Sequence, residues 1–375
     1  MEPVIVAARR TPQGAAGGAF AGVRSEDLSI PVVEALLADT GLAGEQVDDL
    51  RWGCVKQEGE QGNNLGRIVA LCSSLGPSVP AATIDRQCAS SAEAVTSAAD
   101  AVRAGQRECV IAGGVESMSR VERAVDVGEI PGVAARYDVD AIRMGATAET
   151  VAERFDVSRA AQDEYAARSQ QRACAATEAG RFDAELVPIE TDDGRVTEDE
   201  GLRPGTTASV LADLPPAFED GGTVTAGNAS QRSDGAAAVM VTSRAFARDH
   251  GIDVLAAVGA HEVVGVDPAI MGVGPVPAVR GLLERTGTGI DDYGLVELNE
   301  AFASQTLYCQ RELGIDDESL NVNGGAIALG HPLGASGARL PVTLVHEMAR
   351  RGVDRGIATE CVGYGQGAAI AFERG

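Results

Sequence analysis

Two cysteines and a histidine, far apart in the chain, are the residues whose types could share covalent chemistry. Cys88 opens Cys88-Ala89-Ser90-Ser91, just before a run that reads as a helix. His331 lies in Gly330-His331-Pro332-Leu333-Gly334-Ala335-Ser336-Gly337, and Cys361 in Cys361-Val362-Gly363-Tyr364-Gly365-Gln366-Gly367. A thiol within reach of an imidazole can become a nucleophile. A second thiol, with an ordinary pKa of about 8.5, can exchange a proton with a carbon acid. Forming or cleaving a carbon–carbon bond next to a thioester needs both.

Each residue also has a plainer reading. A lone cysteine before a helix is commonly a small buried hydrophobe, but the helix N–H groups and dipole would stabilise a thiolate or an oxyanion there. His331 could be a capping or core histidine, whereas its glycine-dense setting suggests close approach by a substrate or another loop. Cys361 could simply sit in a flexible turn. Asn299, in Asn299-Glu300-Ala301-Phe302-Ala303, could cap a helix, or its amide could orient a water or polarise a carbonyl.

These residues need elements to hold them, and the chain repeats itself in the relevant places. Val47-Asp48-Asp49-Leu50 resembles Ile290-Asp291-Asp292-Tyr293, and Cys88 stands as far beyond Asp48 as His331 stands beyond Asp291. Each follows a short apolar strand, Ala82-Thr83-Ile84 or Leu320-Asn321-Val322. Each precedes a small-residue helix, about 89–104 or 335–350, and then another strand ending in glycines (109–114 and 356–363). Strand–helix–strand alternation implies parallel sheets covered by helices. Two halves related by a pseudo-twofold would bring Cys88 and His331 to equivalent strand ends, the edge that ligands favour in such sheets. Residues 118–222 break the pattern, with a charged helix-like run over 147–179 and a polar stretch through Pro216. They read as an insertion in the first half, and strand character returns near Ala236–Val241.

Composition bounds the rest. The 375 residues can bury a large core, built from Ala, Val, Leu and Ile because aromatics make up only 3%. Net charge is −24 and Lys56 is the only lysine, which excludes a general basic surface for nucleic acid. Such a surface fits a protein working at high salt, or an acidic protein from a GC-rich genome. Seven cysteines without a CxxC pairing suggest a reduced cytoplasmic protein, not a disulfide framework or a metal site. No basic leader or long apolar run points to export or to a membrane span.

With these motifs in order, the chain resembles a thiolase of the acetyl-CoA acetyltransferase and 3-ketoacyl-CoA thiolase type. The likeness runs end to end, through Ala112-Gly113-Gly114-Val115-Glu116-Ser117-Met118-Ser119, Met144-Gly145-Ala146-Thr147-Ala148-Glu149, Asp199-Glu200-Gly201-Leu202-Arg203-Pro204 and Thr223-Val224-Thr225-Ala226-Gly227-Asn228-Ala229-Ser230. It implies an α/β fold of two βαβαβαββ halves in an α-β-α-β-α layered core. The halves would span 1–117 with 223–247, and 248–375, and an inserted loop domain would span 118–222.

The resemblance also implies reversible thiolysis of 3-oxoacyl-CoA, or Claisen condensation of acetyl-CoA, through an acyl-Cys88 intermediate. His331 would activate Cys88, and Cys361 would be the acid and base at the α-carbon. One oxyanion hole would be His331 with a water on Asn299; the other, the N–H groups of Cys88 and Gly363. Ser230, Ala229, Met144 and Phe302 would line the pantetheine channel. Coenzyme A would be substrate and product, with no permanently bound cofactor and no metal, in a homodimer or a dimer of dimers.

Some positions depart from the family pattern. Ser91 stands where glycine is usual and is expected to crowd a backbone contact. Arg143 replaces a histidine common in biosynthetic enzymes, and Pro215 stands where a basic residue is frequent. The nucleotide end of CoA would then fall to other arginines, such as Arg203 or Arg232. A decarboxylating ketoacyl synthase shares the fold but lacks a second catalytic cysteine, so Cys361 speaks against it. A non-catalytic acyl-CoA scaffold would have no need of Cys88, Asn299, His331 and Cys361 together.

Overall fold

The computed structural model describes residues 1–121 and 127–375. Residues 122–126, part of the expected insertion, lie outside the described residues. In the first half the strands run Ala81–Ile84, Asp49–Gly53, Cys109–Ser117, Ser233–Ser243 and Pro3–Arg10 across the sheet. The second half repeats this order with Leu295–Leu298, Arg355–Val362, Gln366–Arg374 and Ala256–Gly265. Leu320, bridged in parallel to Val296, takes the position matching Ala81–Ile84, although a single bridge is all that forms there. Pro3–Arg10 pairs antiparallel with Ala256–Gly265, Val4 opposite Ala257, and joins the halves into one ten-stranded sheet.

The expectation of parallel sheets needs correction. Asp49–Gly53 is parallel to both its neighbours, and Leu295–Leu298 is parallel to Arg355–Val362. Ser233–Ser243 and Gln366–Arg374 instead run antiparallel to the strands on either side of them. All eleven residues of Ser233–Ser243 are buried, so that strand carries no polar alternation that would mark its direction.

Helices form the remaining layers. Ser25–Thr40 and Leu65–Cys72 cover the first half; Pro275–Thr286 and Ala303–Leu313 cover the second. Between the two halves of the sheet lie Ser90–Arg103 and Leu333–Arg351, packed on each other in a cluster that includes Ala92, Val95, Ala99, Leu340 and Leu344. Their small residues let the backbones approach. A Cβ on Gly337 would lie 2.4 Å from the Ala92 nitrogen, and one on Gly114 would lie 2.2 Å from the Gly334 carbonyl oxygen. Both helices start directly after the turns that carry Cys88 and His331, so this approach sets how near those turns come. Gly337→Ala is therefore expected to cost about 1–3 kcal/mol by overpacking, measured by urea unfolding, and to lower activity as well.

The insertion docks on the first half through buried charge. Arg10, fully buried, donates from Nε to Glu185 at 2.6 Å and from Nη1 and Nη2 to Asp199 at 2.7 and 3.0 Å. The helix-like run over 147–179 proves to be two helices, Met144–Arg154 and Arg159–Glu178. Asp156 separates them with φ +54°, and the Ser158 hydroxyl caps the second by accepting from the Ala161 N–H.

Candidate active site

Cys88 sits in a tight turn two residues before Ser90–Arg103. Gln87 precedes it at φ +50°, a conformation few non-glycine residues adopt, and the Ser90 hydroxyl closes the turn by accepting from the Arg86 N–H at 3.0 Å. The residue as a whole is half-buried. Burial pushes the thiol up to about 12, and the Glu360 carboxylate pushes the same way. The N–H groups of Gly363 and of Cys88 itself bear on the sulfur and oppose that shift.

Cys361 lies near the end of Arg355–Val362, opposite Gly367 across a hairpin. It is fully buried among Ala148, Ala229, Met271, Ala301 and Phe302. Its thiol is raised well above the ordinary value by burial first, and then by its neighbours Cys88, Cys309 and Glu360. It is therefore protonated at rest.

Asn299 follows Leu295–Leu298, and its N–H donates to the Thr359 carbonyl at 2.9 Å, two residues before Cys361. It is not a helix cap, because the helix Ala303–Leu313 begins after Phe302. Its Nδ2 lies 3.3 Å from His331 Nε2, and its Oδ1 is buried without a partner. Such an atom is costly unless something that donates a hydrogen bond comes to it. His331 is 5% exposed. Its main-chain N–H donates to the Gln231 carbonyl and the Ser233 hydroxyl at 3.2 and 3.1 Å. Burial lowers its pKa to about 3, with the Arg339 guanidinium adding to the shift. Both shifts favour the neutral forms, a thiol at Cys88 and an uncharged imidazole at His331.

The residues expected to line the pantetheine channel lie close to one another. Ala229 is bridged to Phe302, and the Ser230 N–H donates to the Ala301 carbonyl at 2.9 Å. Phe218 lies over the backbone of Gly145, beside Met144, and meets Phe302 edge-on at 6.1 Å. Arg203 and Arg232 are both exposed, and Arg203 Nη2 reaches the Gln231 side chain at 3.4 Å beside the residue bridged to His331. Arg143 is exposed and pairs with Asp140 at 3.2 Å.

Other features were missed. Ser91 does not crowd the backbone: its hydroxyl accepts from the Ala338 N–H at 2.8 Å and ties the two central helices together. Glu300, beside Asn299, accepts hydrogen bonds from Tyr165, Ser169, Asn321 and the Ile327 N–H at 2.6–3.1 Å, which fixes the Asn299 turn. Its position next to an amide of interest was the one available signal. A cavity of about 620 Å³ also opens beside the Cys88 turn, lined by Gln87, Tyr364, Ile130, Val133, Tyr137 and Ile142 among others. None of Ser230, Ala229, Met144, Phe302, Arg203 or Arg232 lines it.

Comparison with known proteins decides the family. Residues 3–245 match the thiolase N-terminal domain, and residues 252–374 match the thiolase C-terminal domain. The chain belongs to the thiolase family. It is 47% identical over 382 residues to a 3-ketoacyl-CoA thiolase of Pectobacterium carotovorum, covering 99% of each chain. A 3-ketoacyl-CoA thiolase of Escherichia coli O6:H1 gives the same identity and coverage.

The Bacillus anthracis acetyl-CoA acetyltransferase superposes at a TM-score of 0.92 with 39% identity, covering 100% of this chain and 98% of that one. Human mitochondrial 3-ketoacyl-CoA thiolase in complex with CoA superposes at 0.93 with 40% identity and the same coverage. This thiolase therefore has the thiolase fold and is an acyltransferase of that family. Among the described residues of this thiolase, no group of three or more His, Cys, Asp or Glu could hold a metal ion, and no helix is long and apolar enough to cross a membrane.

Proposed function

We propose that the chain catalyses reversible thiolysis of 3-oxoacyl-CoA through acylation of Cys88. The reading is carried by one arrangement. The N–H groups of Cys88 and Gly363 bear on the Cys88 sulfur, the Cys361 thiol is near enough to feel its charge, and the amide that meets the His331 nitrogen carries an open oxygen. In the degradative direction, Cys88 gives its proton to His331 Nε2 as its sulfur attacks the 3-oxo carbon. The C2–C3 bond then breaks, leaving an acyl group on Cys88 and the enolate of acetyl-CoA. Cys361, protonated at rest, protonates C2. Its thiolate next takes the proton of an incoming CoA thiol, which attacks acyl-Cys88, and His331 returns the first proton to the departing sulfur.

Oxyanions would be met by the N–H groups of Cys88 and Gly363, and by protonated His331 together with a water on Asn299 Oδ1. Ser230, Ala229, Met144 and Phe302 form the wall proposed for pantetheine, with Arg203 and Arg232 at its rim for the phosphates. The same machinery run backwards condenses acetyl-CoA.

The cavity favours longer acyl chains over acetoacetyl-CoA. It is lined by Gln87 and Tyr364, the chain neighbours of Cys88 and Gly363, and by none of the residues proposed for CoA. Three of its lining residues, Ile130, Tyr137 and Tyr364, are 44%, 48% and 41% exposed, which is unusual for large hydrophobic side chains unless something covers them. Burying each added methylene is worth about 0.8 kcal/mol, or about fourfold.

A panel of 3-oxoacyl-CoA substrates should show kcat/KM rising about fourfold per methylene until the cavity is filled. Highest activity on acetoacetyl-CoA, declining with length, would overturn the chain-length reading. The panel should also run faster at molar salt, because a protein of charge −24 repels polyanionic CoA until the Debye length shrinks to about 3 Å. That charge supports a high-salt habitat, and the seven free thiols fit a cytoplasmic one. The Ala81–Ile84 strand, at the edge of the sheet, supports a homodimer or a pair of dimers.

A further inference from the structure

His331 can serve as a base only if the nitrogen facing the reaction carries a lone pair, and its other nitrogen decides that. Nδ1 lies 2.6 Å from the Ser336 hydroxyl oxygen, deep in the protein where Ser336 is 1% exposed. The hydroxyl oxygen also lies 2.9 Å from the Pro332 carbonyl. A hydroxyl has one proton to give and a carbonyl has none. The Asn299 Nδ2 that meets Nε2 has only protons to give, so Nε2 carries the lone pair; the Ser336 oxygen then accepts from Nδ1 and its own proton goes to the Pro332 carbonyl. That leaves the imidazole proton on Nδ1 and the lone pair on Nε2, where the Asn299 amide donates to it.

We propose that Ser336 is a positioning residue that fixes the Nδ1–H tautomer of His331, so that the lone pair able to take the Cys88 proton stays on Nε2. The inference rests on His331 being the base in the reaction proposed above. Buried beside Arg339, the imidazole is neutral near pH 7 and so has a tautomer to fix. When Nε2 accepts the Cys88 proton, it turns from acceptor to donor. Deprotonation of the nucleophile and arming of the oxyanion site then become one event. The Ser336 oxygen, still accepting from Nδ1–H, supports the positive charge that forms. The alternative is a serine that merely bonds the carbonyl four residues back, as helix serines often do; it would leave the histidine indifferent.

Long-range proton–nitrogen NMR on protein labelled with ¹⁵N-histidine reads the tautomer directly. There are four histidines, and His331→Ala identifies the signal. In the wild type the proton is expected on Nδ1; a proton on Nε2 overturns the proposal without any further variant. Ser336→Ala is expected to move the proton to Nε2, or to divide it between the nitrogens. It should lower kcat about 10- to 100-fold, the usual size of effect for a partner that orients a working histidine, with KM changed less than threefold. Ser336→Thr, which retains the hydroxyl, should restore both the tautomer and the rate. If Ser336→Ala keeps the Nδ1 proton, or turns over within twofold of wild type, Ser336 is structural only. Failure of the underlying reaction would look different: His331→Ala would retain turnover while the wild type still showed Nδ1–H.

Discussion

Cys361→Ala is expected to divide the reaction at the carbon–carbon step. Its thiol is the group proposed to protonate the acetyl-CoA enolate and, in reverse, to remove the α-proton. Thiolysis of 3-oxoacyl-CoA should fall by about 10²–10⁴-fold, the range for loss of a positioned acid or base. Acyl transfer from a simple acyl-CoA to Cys88 needs no carbon acid, so the acyl adduct on Cys88 should remain detectable by mass spectrometry. The thiol lies among Ala148, Ala229 and Phe302, so alanine leaves a small apolar gap and no orphaned polar group. Normal turnover by this variant would remove the proton-carrying role.

Cys88→Ala should have the larger effect and a different pattern. It deletes the atom proposed to accept the acyl group, so both thiolysis and simple acyl exchange should fall by at least about 10⁴-fold. Losses of this order follow removal of a nucleophile elsewhere. His331, Asn299 and Gly363 remain, and CoA should still bind with near-normal affinity in a calorimetric titration. Loss of CoA binding together with activity would mean that the variant had lost the site's shape, and Cys88→Ser would then replace it.

The parts legible in the sequence share a cause. Cys88 and His331 read as equivalent because both close a strand–turn–helix unit with small residues after the turn, and the two helices begin at Ser90 and Leu333, at matching offsets. Cys361 stood out by the glycines around it, and Asn299 by its place directly after the strand Leu295–Leu298. What escaped notice depended on partners distant in the chain. The role of Ser91 comes from Ala338 on the other central helix.

Local patterns misled elsewhere for physical reasons. The direction of Ser233–Ser243 is hidden because both its faces are buried. The break at Asp156 rests on a single residue with positive φ inside a periodic run, which composition does not announce. Ile130 and Tyr137 come from an insertion without clear periodicity, so their shared cavity with Tyr364 appears only when the chain is folded. Ser336 looked like one more small residue in a glycine-rich turn.

The most direct test of the account is to quench wild-type enzyme within one turnover of 3-oxoacyl-CoA in the absence of free CoA, and to map the modified peptide. The account predicts one acyl group, of the substrate's length less two carbons, on the peptide containing Cys88, with the Cys361 peptide unmodified. An acyl group on Cys361 alone, or full cleavage with no adduct on either thiol, would contradict it.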